Sequence, residues 1–303
     1  MKITVVGCGA IGQLWINALA KTQHRVQGWH NNISPFYLIN VIQLDGSHEK
    51  ITIDVNQTQW IKQTELLLVT VKAHQIAMAI TPLLSLLLPS CTIVLLHNGL
   101  GVLQQLPDII NPLLLACTTH AVIRQTDRVI HTAAGETWLG PVNQTAQYQQ
   151  HLANILNATL PPVSWQDDIL YFAWQKLAIN CVINPLAVKY QCCNGQLTDY
   201  QEEITQLCTE IAQVMSACGF HTNHQTLSTR VNTVIALTCK NTCSMLQDIQ
   251  AHRLTEIDYI TGYLLAEAER YAIHVPLNQS LYQLIKNKES DYGLTTSRTL
   301  LSG

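Results

Sequence analysis

One short segment near the start decides most of what this chain can fold into. Residues 3–6 read as a strand and run directly into Gly7-Cys8-Gly9-Ala10-Ile11-Gly12. Residues 10–21 then place Ile11, Leu14, Trp15, Ala18 and Leu19 at the three-to-four spacing of a helix. A G-x-G-x-x-G alone is a weak signal; between a strand and a helix it is the mark of a phosphate-binding turn. Gly7 makes the tight turn, Gly9 lets backbone approach a pyrophosphate, and Gly12 lets helix and strand pack closely. The helix N-terminus supplies unpaired N–H groups to the anion, so Gly7, Cys8, Gly9, Ala10, Ile11 and Gly12 form the candidate dinucleotide cradle.

The pattern that follows fits such a turn. Strand-like runs recur at 25–29, 65–71, 92–96, 113–117 and 128–132, with a second helix expected over 73–88. Leu66-Leu67-Leu68-Val69 is continuously apolar, as strands covered on both faces of a parallel sheet are. The expectation is an α/β, Rossmann-type N-terminal domain over residues 1–167. Beyond it strand patterns vanish. Amphipathic stretches at 169–184, 199–218, 223–237, 254–271 and 277–289 predict a mostly α-helical C-terminal domain over 168–303, ending in a loose tail of about a dozen residues. A chain of 303 residues is long enough for two cores.

Composition excludes several classes of function. A formal net charge of −3 with no basic block argues against nucleic acid as a partner, because phosphate neutralisation needs clustered cations. The ten cysteines contain no C-x-x-C pair, so the expectation is free, reduced thiols and no metal site, with vicinal Cys192-Cys193 the one pair that could oxidise. The longest apolar stretch, near residues 83–88, is broken by Pro82, Ser85 and Pro89 and falls short of the ~20 residues a membrane span needs. With no signal-peptide pattern at the N-terminus, the expected location is cytoplasmic. Nothing distinguishes a monomer from a homodimer.

Polar residues at special places are the candidates for chemistry. The second strand ends in Trp29-His30-Asn31-Asn32, without the acid that would bind the adenosine ribose hydroxyls and repel a 2′-phosphate. NADP is therefore favoured, although no cation grips the phosphate there unless His30 is protonated. Lys72 closes the run 67–71 and Asn98-Gly99 follows 94–97, both at strand ends; a solvated terminus and a plain Asn-Gly turn are the bland alternatives. Gly99 and Gly101 would let backbone pass close to a cofactor. Further on, Lys176, Asn180 and Asn184 share one face of an otherwise apolar helix, and a lysine with two amides there demands partners or a ligand. Pro185 is expected to kink or stop that helix at Asn184. Glu256 opens the stretch 254–271, after a polar connection holding Asn241 and Ser244; pattern alone does not separate it from an ordinary first-turn acid. A hydroxyacid dehydrogenase with His97 or His120 as acid is a weaker alternative.

These residues, in this order, resemble the ketopantoate reductases (2-dehydropantoate 2-reductases). The likeness rests on Gly7 to Gly12, Lys72, His97-Asn98-Gly99, the block Lys176-Leu177-Ala178-Ile179-Asn180-Cys181-Val182-Ile183-Asn184-Pro185, Asn194-Gly195, Ser244-Met245-Leu246-Gln247-Asp248 and Thr255-Glu256-Ile257-Asp258. It spans the chain from Met1 to about Tyr292. The resemblance implies a Rossmann-type domain, a helical domain like that of the 6-phosphogluconate dehydrogenase superfamily, and NADPH-dependent reduction of ketopantoate in a cleft between them. By the same resemblance Lys176 is the general acid and Glu256 the second essential residue, touching Lys176, substrate or nicotinamide ribose. Asn98 and Ser244 would hold the substrate near its carboxylate, with Asn180, Asn184 and Asn194 on its other polar groups and Asn241 in support. Lys72 and backbone near Val122 would contact the cofactor, as would Asn98. Relatives often carry Arg where Asn31 stands, so weaker NADPH preference is expected, with NAD also admitted. The competing readings are a reductase of another branched 2-oxo acid, an opine-type dehydrogenase, or a non-catalytic NAD(P) sensor.

Overall fold

A computed structural model describes residues 1–31 and 34–293. Asn32 and most of the expected tail lie outside the described residues. The chain divides into two compact units, one of Met1–Asn98 with Val102–Phe172 and the other of Gly99–Gly101 with Ala173–Gly303.

The first unit contains β1 (Lys2–Val6), α1 (Ala10–Ala20), β2 (Arg25–Trp29), β3 (Phe36–Ile42), β4 (His48–Asp54), the single-turn α2 (Thr58–Ile61), β5 (Leu66–Val69), α3 (Ile76–Leu84), β6 (Thr92–Leu96), β7 (Leu113–Thr118), β8 (Ala121–Arg124), β9 (Val129–Ala133), β10 (Thr137–Pro141), α4 (His151–Thr159) and β11 (Val163–Trp165). Seven strands form one sheet in the order β11-β10-β7-β6-β5-β1-β2, parallel except where β10 meets β7. Residues 66–69 of β5 and all of β6 are buried, as strands covered on both faces must be. From β1 the chain goes outward to β2, then returns to place β5 on the other side. The carboxyl ends of β1 and β5 therefore flank a topological switch point, where sheets of this kind bind ligands.

A second sheet, β4-β3-β9-β8, was not foreseen. Its hairpin β3–β4 turns through Asp45-Gly46, with Gly46 at φ +82° and Gln43 N–H donating to Ser47 O at 2.9 Å. That Asp-Gly between two β-rich runs was the available signal. It is blurred because β3 exposes Phe36 and Leu38 while burying Ile39, Asn40 and Val41, so no clean alternation shows. Helix α1 lies against β2, β3, β8 and β9, and its Leu14, Trp15, Ile16 and Leu19 form the core beneath them.

The second unit takes most of α5 (Ile169–Tyr190), then α6 (Gln201–Ala217), α7 (His224–Leu237), α8 (Ser244–Gln250), α9 (Thr261–Arg270) and α10 (Pro276–Asp291). The two units part inside α5, between Phe172 and Ala173, whereas the sequence pattern changes at about 167. One expectation is narrowed and one corrected. Helix α5 does not stop at Asn184; it runs through Pro185 to Tyr190. An internal proline costs about 3 kcal/mol. Complete burial of Leu186, Ala187 and Val188 beyond it offsets that cost. The stretch 254–271 is not one helix either. It is a 3-10 turn at Ile257–Tyr259, a break at Ile260 (φ −100°, ψ −88°), and then α9. At its start the buried Glu289 carboxylate anchors the chain, Oε1 accepting from Thr255 N–H at 2.8 Å and from the Thr255 hydroxyl at 2.7 Å. No helix among the described residues is long and apolar enough to cross a membrane.

Candidate active site

Each glycine of the turn has its own geometric reason. Gly7 has φ +98°, and a Cβ there would sit 2.6 Å from Val71 Cγ1. Its N–H donates to Trp29 O at 2.8 Å, which ties the turn to the end of β2. A Cβ on Gly12 would lie 1.9 Å from Gly7 O and 2.6 Å from Thr70 Oγ1, so α1 reaches its packing distance only because that carbon is missing. Thr70 Oγ1 donates to Gly7 O at 2.8 Å and lies 3.1 Å from Val6 O, joining the ends of β1 and β5. Gly9 differs from both: nothing lies within 4 Å of where its Cβ would be. That open space sits at the N-terminus of α1, which has no capping side chain and no acid in its first turn. Burial pushes the Cys8 thiol up to about 12, so it adds no negative charge. An uncapped positive helix end, a backbone open at Gly9 and no competing anion fit a pyrophosphate.

Around the turn, the loop after β2 carries no fixed charge. Asn31 is exposed, and His30 donates its N–H to Asn56 Oδ1 at 3.0 Å while its ring meets the Tyr37 ring edge-on at 4.7 Å. Burial lowers the His30 pKa, which disfavours the protonated form considered from sequence. Lys72 is half-buried, three residues beyond the end of β5, where it precedes a 3-10 turn. Asn98 is half-buried after β6, and its carbonyl lies 3.0 Å from His97 Nδ1. The close approach expected at Gly99 is made, but to protein. With φ +84° it lets the chain pass Tyr259, whose carbonyl would be 2.2 Å from a Cβ, and Leu100 N–H donates to that carbonyl at 2.8 Å. Gly101 packs in the same way against the Tyr263 ring. Val122 packs on the core around α1.

In the second unit α5 presents Lys176, Asn180 and Asn184 at four-residue spacing, the first two half-buried and Asn184 5% exposed. The Asn184 carbonyl accepts from Cys243 Sγ at 3.9 Å, and Cys243 in turn accepts Leu246 N–H at 3.4 Å to start α8 at Ser244. Asn194 N–H donates to Asn241 O at 3.0 Å, so Asn184, Asn194, Asn241 and Ser244 belong to one connected region. Thr238, which sequence reasoning missed, accepts Asn194 Nδ2 at 2.8 Å and donates to Val234 O at 2.7 Å. This fixes the Asn194 amide and leaves its buried Oδ1 without a partner among the described residues. Only the i−4 spacing of Thr238 from Val234 hinted at the bond.

Glu256 is buried at the entry to the 3-10 turn, so it is not the first-turn acid of a long helix. Its turn is pinned on both sides. Thr255 hangs from Glu289, and Asp258 accepts from Tyr282 Oη at 2.7 Å and Lys286 Nζ at 3.0 Å. Among the described residues no cluster of three or more His, Cys, Asp or Glu could hold a metal, and all ten cysteines are free.

His120 pairs with His131 in the first unit, Nδ1 to Nε2 at 3.1 Å, and accepts Gly135 N–H at 3.2 Å. Burial first, and then the neighbouring imidazole, push its pKa down to about 4. It is neutral at neutral pH, which removes it as the proton donor weighed from sequence. The unfolded chain binds this proton from pH 6.5 downward and the folded chain only near 4. Stability is therefore whole above pH 6.5 and falls through that window, by about 2 kcal/mol at pH 5. Thermal midpoints measured from pH 7 to pH 5 will decline, and His120→Asn will flatten the slope; an unchanged slope would place the acid sensitivity elsewhere.

A glycine cradle at a sheet switch point, joined to a helical unit bearing a lysine, a buried carboxylate and a row of amides, defines a dinucleotide-dependent oxidoreductase. Residues 3–144 match the family model described as ketopantoate reductase PanE/ApbA, and residues 168–289 match the model of its C-terminal domain. The chain belongs to the ketopantoate reductase family. It is 48% identical over 292 residues to a 2-dehydropantoate 2-reductase of Yersinia pestis, covering 96% of each chain. Among solved structures it is similar to a PanE/ApbA family ketopantoate reductase from Ralstonia eutropha JMP134, with TM-score 0.84, 22% identity and coverage of 97% of this chain and 100% of that one. A D-mandelate dehydrogenase with NADH and anilino(oxo)acetate gives TM-score 0.87 at 20% identity, covering 97% and 100%. At these identities the two structures speak for the fold.

Proposed function

We propose that this chain reduces 2-dehydropantoate (ketopantoate) to pantoate with NADPH, using Lys176 as proton donor. The observation that carries the reading is the row Lys176, Asn180, Asn184 on α5, backed by the fixed amide of Asn194. A ketone reduction needs a proton donor, and the Lys176 ammonium, set among amides on one face of α5, is a group that can supply the proton.

A bound reduced nicotinamide supplies hydride to the ketone carbon. As that carbon becomes tetrahedral its oxygen takes on alkoxide character, and the Lys176 ammonium transfers a proton to it, so that ketone plus hydride plus proton gives the alcohol. Asn180 and Asn184 orient the substrate beside Lys176 by hydrogen bonds to its polar groups. Asn194 Oδ1 offers an acceptor to the hydroxymethyl O–H, held in that orientation by Thr238. Ser244 and Asn98 bind the carboxylate end, and Asn241 supports Asn194 through its carbonyl. Glu256, held by its pinned turn, is set to orient Lys176 or accept from the nicotinamide ribose. The glycine cradle with Lys72 and Val122 binds the dinucleotide. Sites built on paired amides reject analogues that leave them unpaired, which favours ketopantoate over a simple branched 2-oxo acid.

Absence of an acid after β2 supports NADPH as the preferred donor. Reductant oxidation is to be followed with ketopantoate and 2-oxo-3-methylbutanoate, each with NADPH and NADH. The expected result is a kcat/KM highest for ketopantoate with NADPH. Equal or better turnover of the simpler acid would make the chain a reductase of another 2-oxo acid, and NADH preference would reverse the cofactor.

A further inference from the structure

The sequence leaves the 2′-phosphate of NADPH without a cation at residue 31, and the fold provides one from a strand the sequence did not reveal. Arg124 ends β8, opposite Val129 of β9, which in turn pairs with Val41 of β3. Two residues earlier on the same face of β8, Val122 packs against the core that includes Cys8, Leu14 and Trp15. Helix α1 lies against this strand, so β8 runs beside the helix that begins at the glycine cradle. The guanidinium of Arg124 is exposed, and among the described residues it has no carboxylate or hydrogen-bond partner. Arg128, Arg253 and Arg270 each pair with an acid.

What Arg124 faces is informative. Its positive charge lowers both the Cys8 thiol and the Tyr37 phenol against the larger upward push of burial. Cys8 is the second residue of the cradle, and Tyr37 carries the ring on which His30 rests, at the end of β2. The adenosine ribose of a dinucleotide held by such a turn sits at the end of the second strand. At that place this chain offers the neutral Asn31 and a His30 whose protonation burial disfavours, and Arg124 is a fixed cation whose charge reaches Cys8 and Tyr37 beside it. An exposed guanidinium with its donors free is suited to a phosphate dianion, which it can grip through two parallel hydrogen bonds.

We propose that Arg124 binds the 2′-phosphate of the adenosine ribose and is the residue that selects NADP over NAD in this chain. The proposal rests on the dinucleotide-binding reading and goes beyond it by assigning the discriminating cation to β8 rather than to the loop after β2.

The test is binding of two fragments, 2′,5′-ADP and 5′-ADP, measured by calorimetry on the full chain, wild type and Arg124→Gln. The wild type is expected to bind 2′,5′-ADP more tightly. Arg124→Gln should weaken 2′,5′-ADP about 10- to 100-fold, as loss of a charge-assisted contact does, while 5′-ADP is unchanged. Arg124→Lys keeps the charge without the fork and should fall between. Undiminished selectivity in Arg124→Gln overturns the proposal but leaves the dinucleotide site standing. An equal loss for both fragments overturns it too, since the arginine would then act on the whole nucleotide. A wild type that binds neither fragment removes the dinucleotide site and the proposal together.

Discussion

Replacing Lys176 by alanine will lower kcat by about 10²–10⁴, the usual contribution of a positioned general acid, while dinucleotide affinity changes little. Alanine is the best helix former and the site lies in the middle of α5, so the fold should tolerate it. The separation of the two readouts matters. The cradle belongs to the first unit and Lys176 to the second, so a change that removed both activities would indicate damage to the protein, whereas loss of turnover alone points to chemistry. A Lys176→Ala enzyme that turns over like the wild type would refute the proton-donor role.

The second large effect concerns two glycines of one motif that should fail in different ways. In Gly12→Ala the added carbon falls 1.9 Å from Gly7 O, a backbone atom that cannot swing aside. Helix α1 must move off the ends of β1 and β5, and overpacking of this kind costs about 1–3 kcal/mol or more. The thermal midpoint should drop by several degrees, and dinucleotide affinity should fall about 100-fold because the N–H groups no longer aim at the phosphates. In Gly9→Ala the backbone is at φ −75° and the new carbon meets nothing within 4 Å. Folding stability should be unchanged, yet affinity should fall about 10-fold or more as the methyl occupies space the pyrophosphate needs. Parallel melting curves and cofactor titrations distinguish the two. Destabilisation by Gly9→Ala, or none by Gly12→Ala, would contradict the packing described for this turn.

The contrast between those glycines shows what the sequence could reveal. G-x-G-x-x-G named both positions because spacing between a strand and a helix encodes the local turn. The buried run 66–69 and the apolar stripes of the second half were readable for the same reason: periodicity within one element is local. What escaped depended on partners far away in the chain. The second sheet pairs β3 with β9, so no window of sequence contains both strands. The stretch 254–271 has good helical periodicity, but its start is tied to Glu289 through Thr255 and its backbone breaks at Ile260. Pro185 reads as a kink or a stop, and the buried packing beyond it keeps α5 going. In the candidate site, Lys176, Asn180 and Asn184 were legible as one helical face. Thr238 and Arg124 were not, since a bond from residue 238 to residue 194 and a charge brought back by β8 are products of tertiary structure.

Everything proposed for the site turns on hydride passing from a reduced nicotinamide to the ketone carbon of ketopantoate. That transfer is tested most directly by turnover with NADPH carrying deuterium at C4 on the transferred face, for which both faces are to be tried, followed by mass spectrometry of the product. Pantoate with one deuterium bound to C2 is expected from one of the two labelled cofactors. Pantoate without label from both, or no pantoate while the cofactor remains bound, would contradict it.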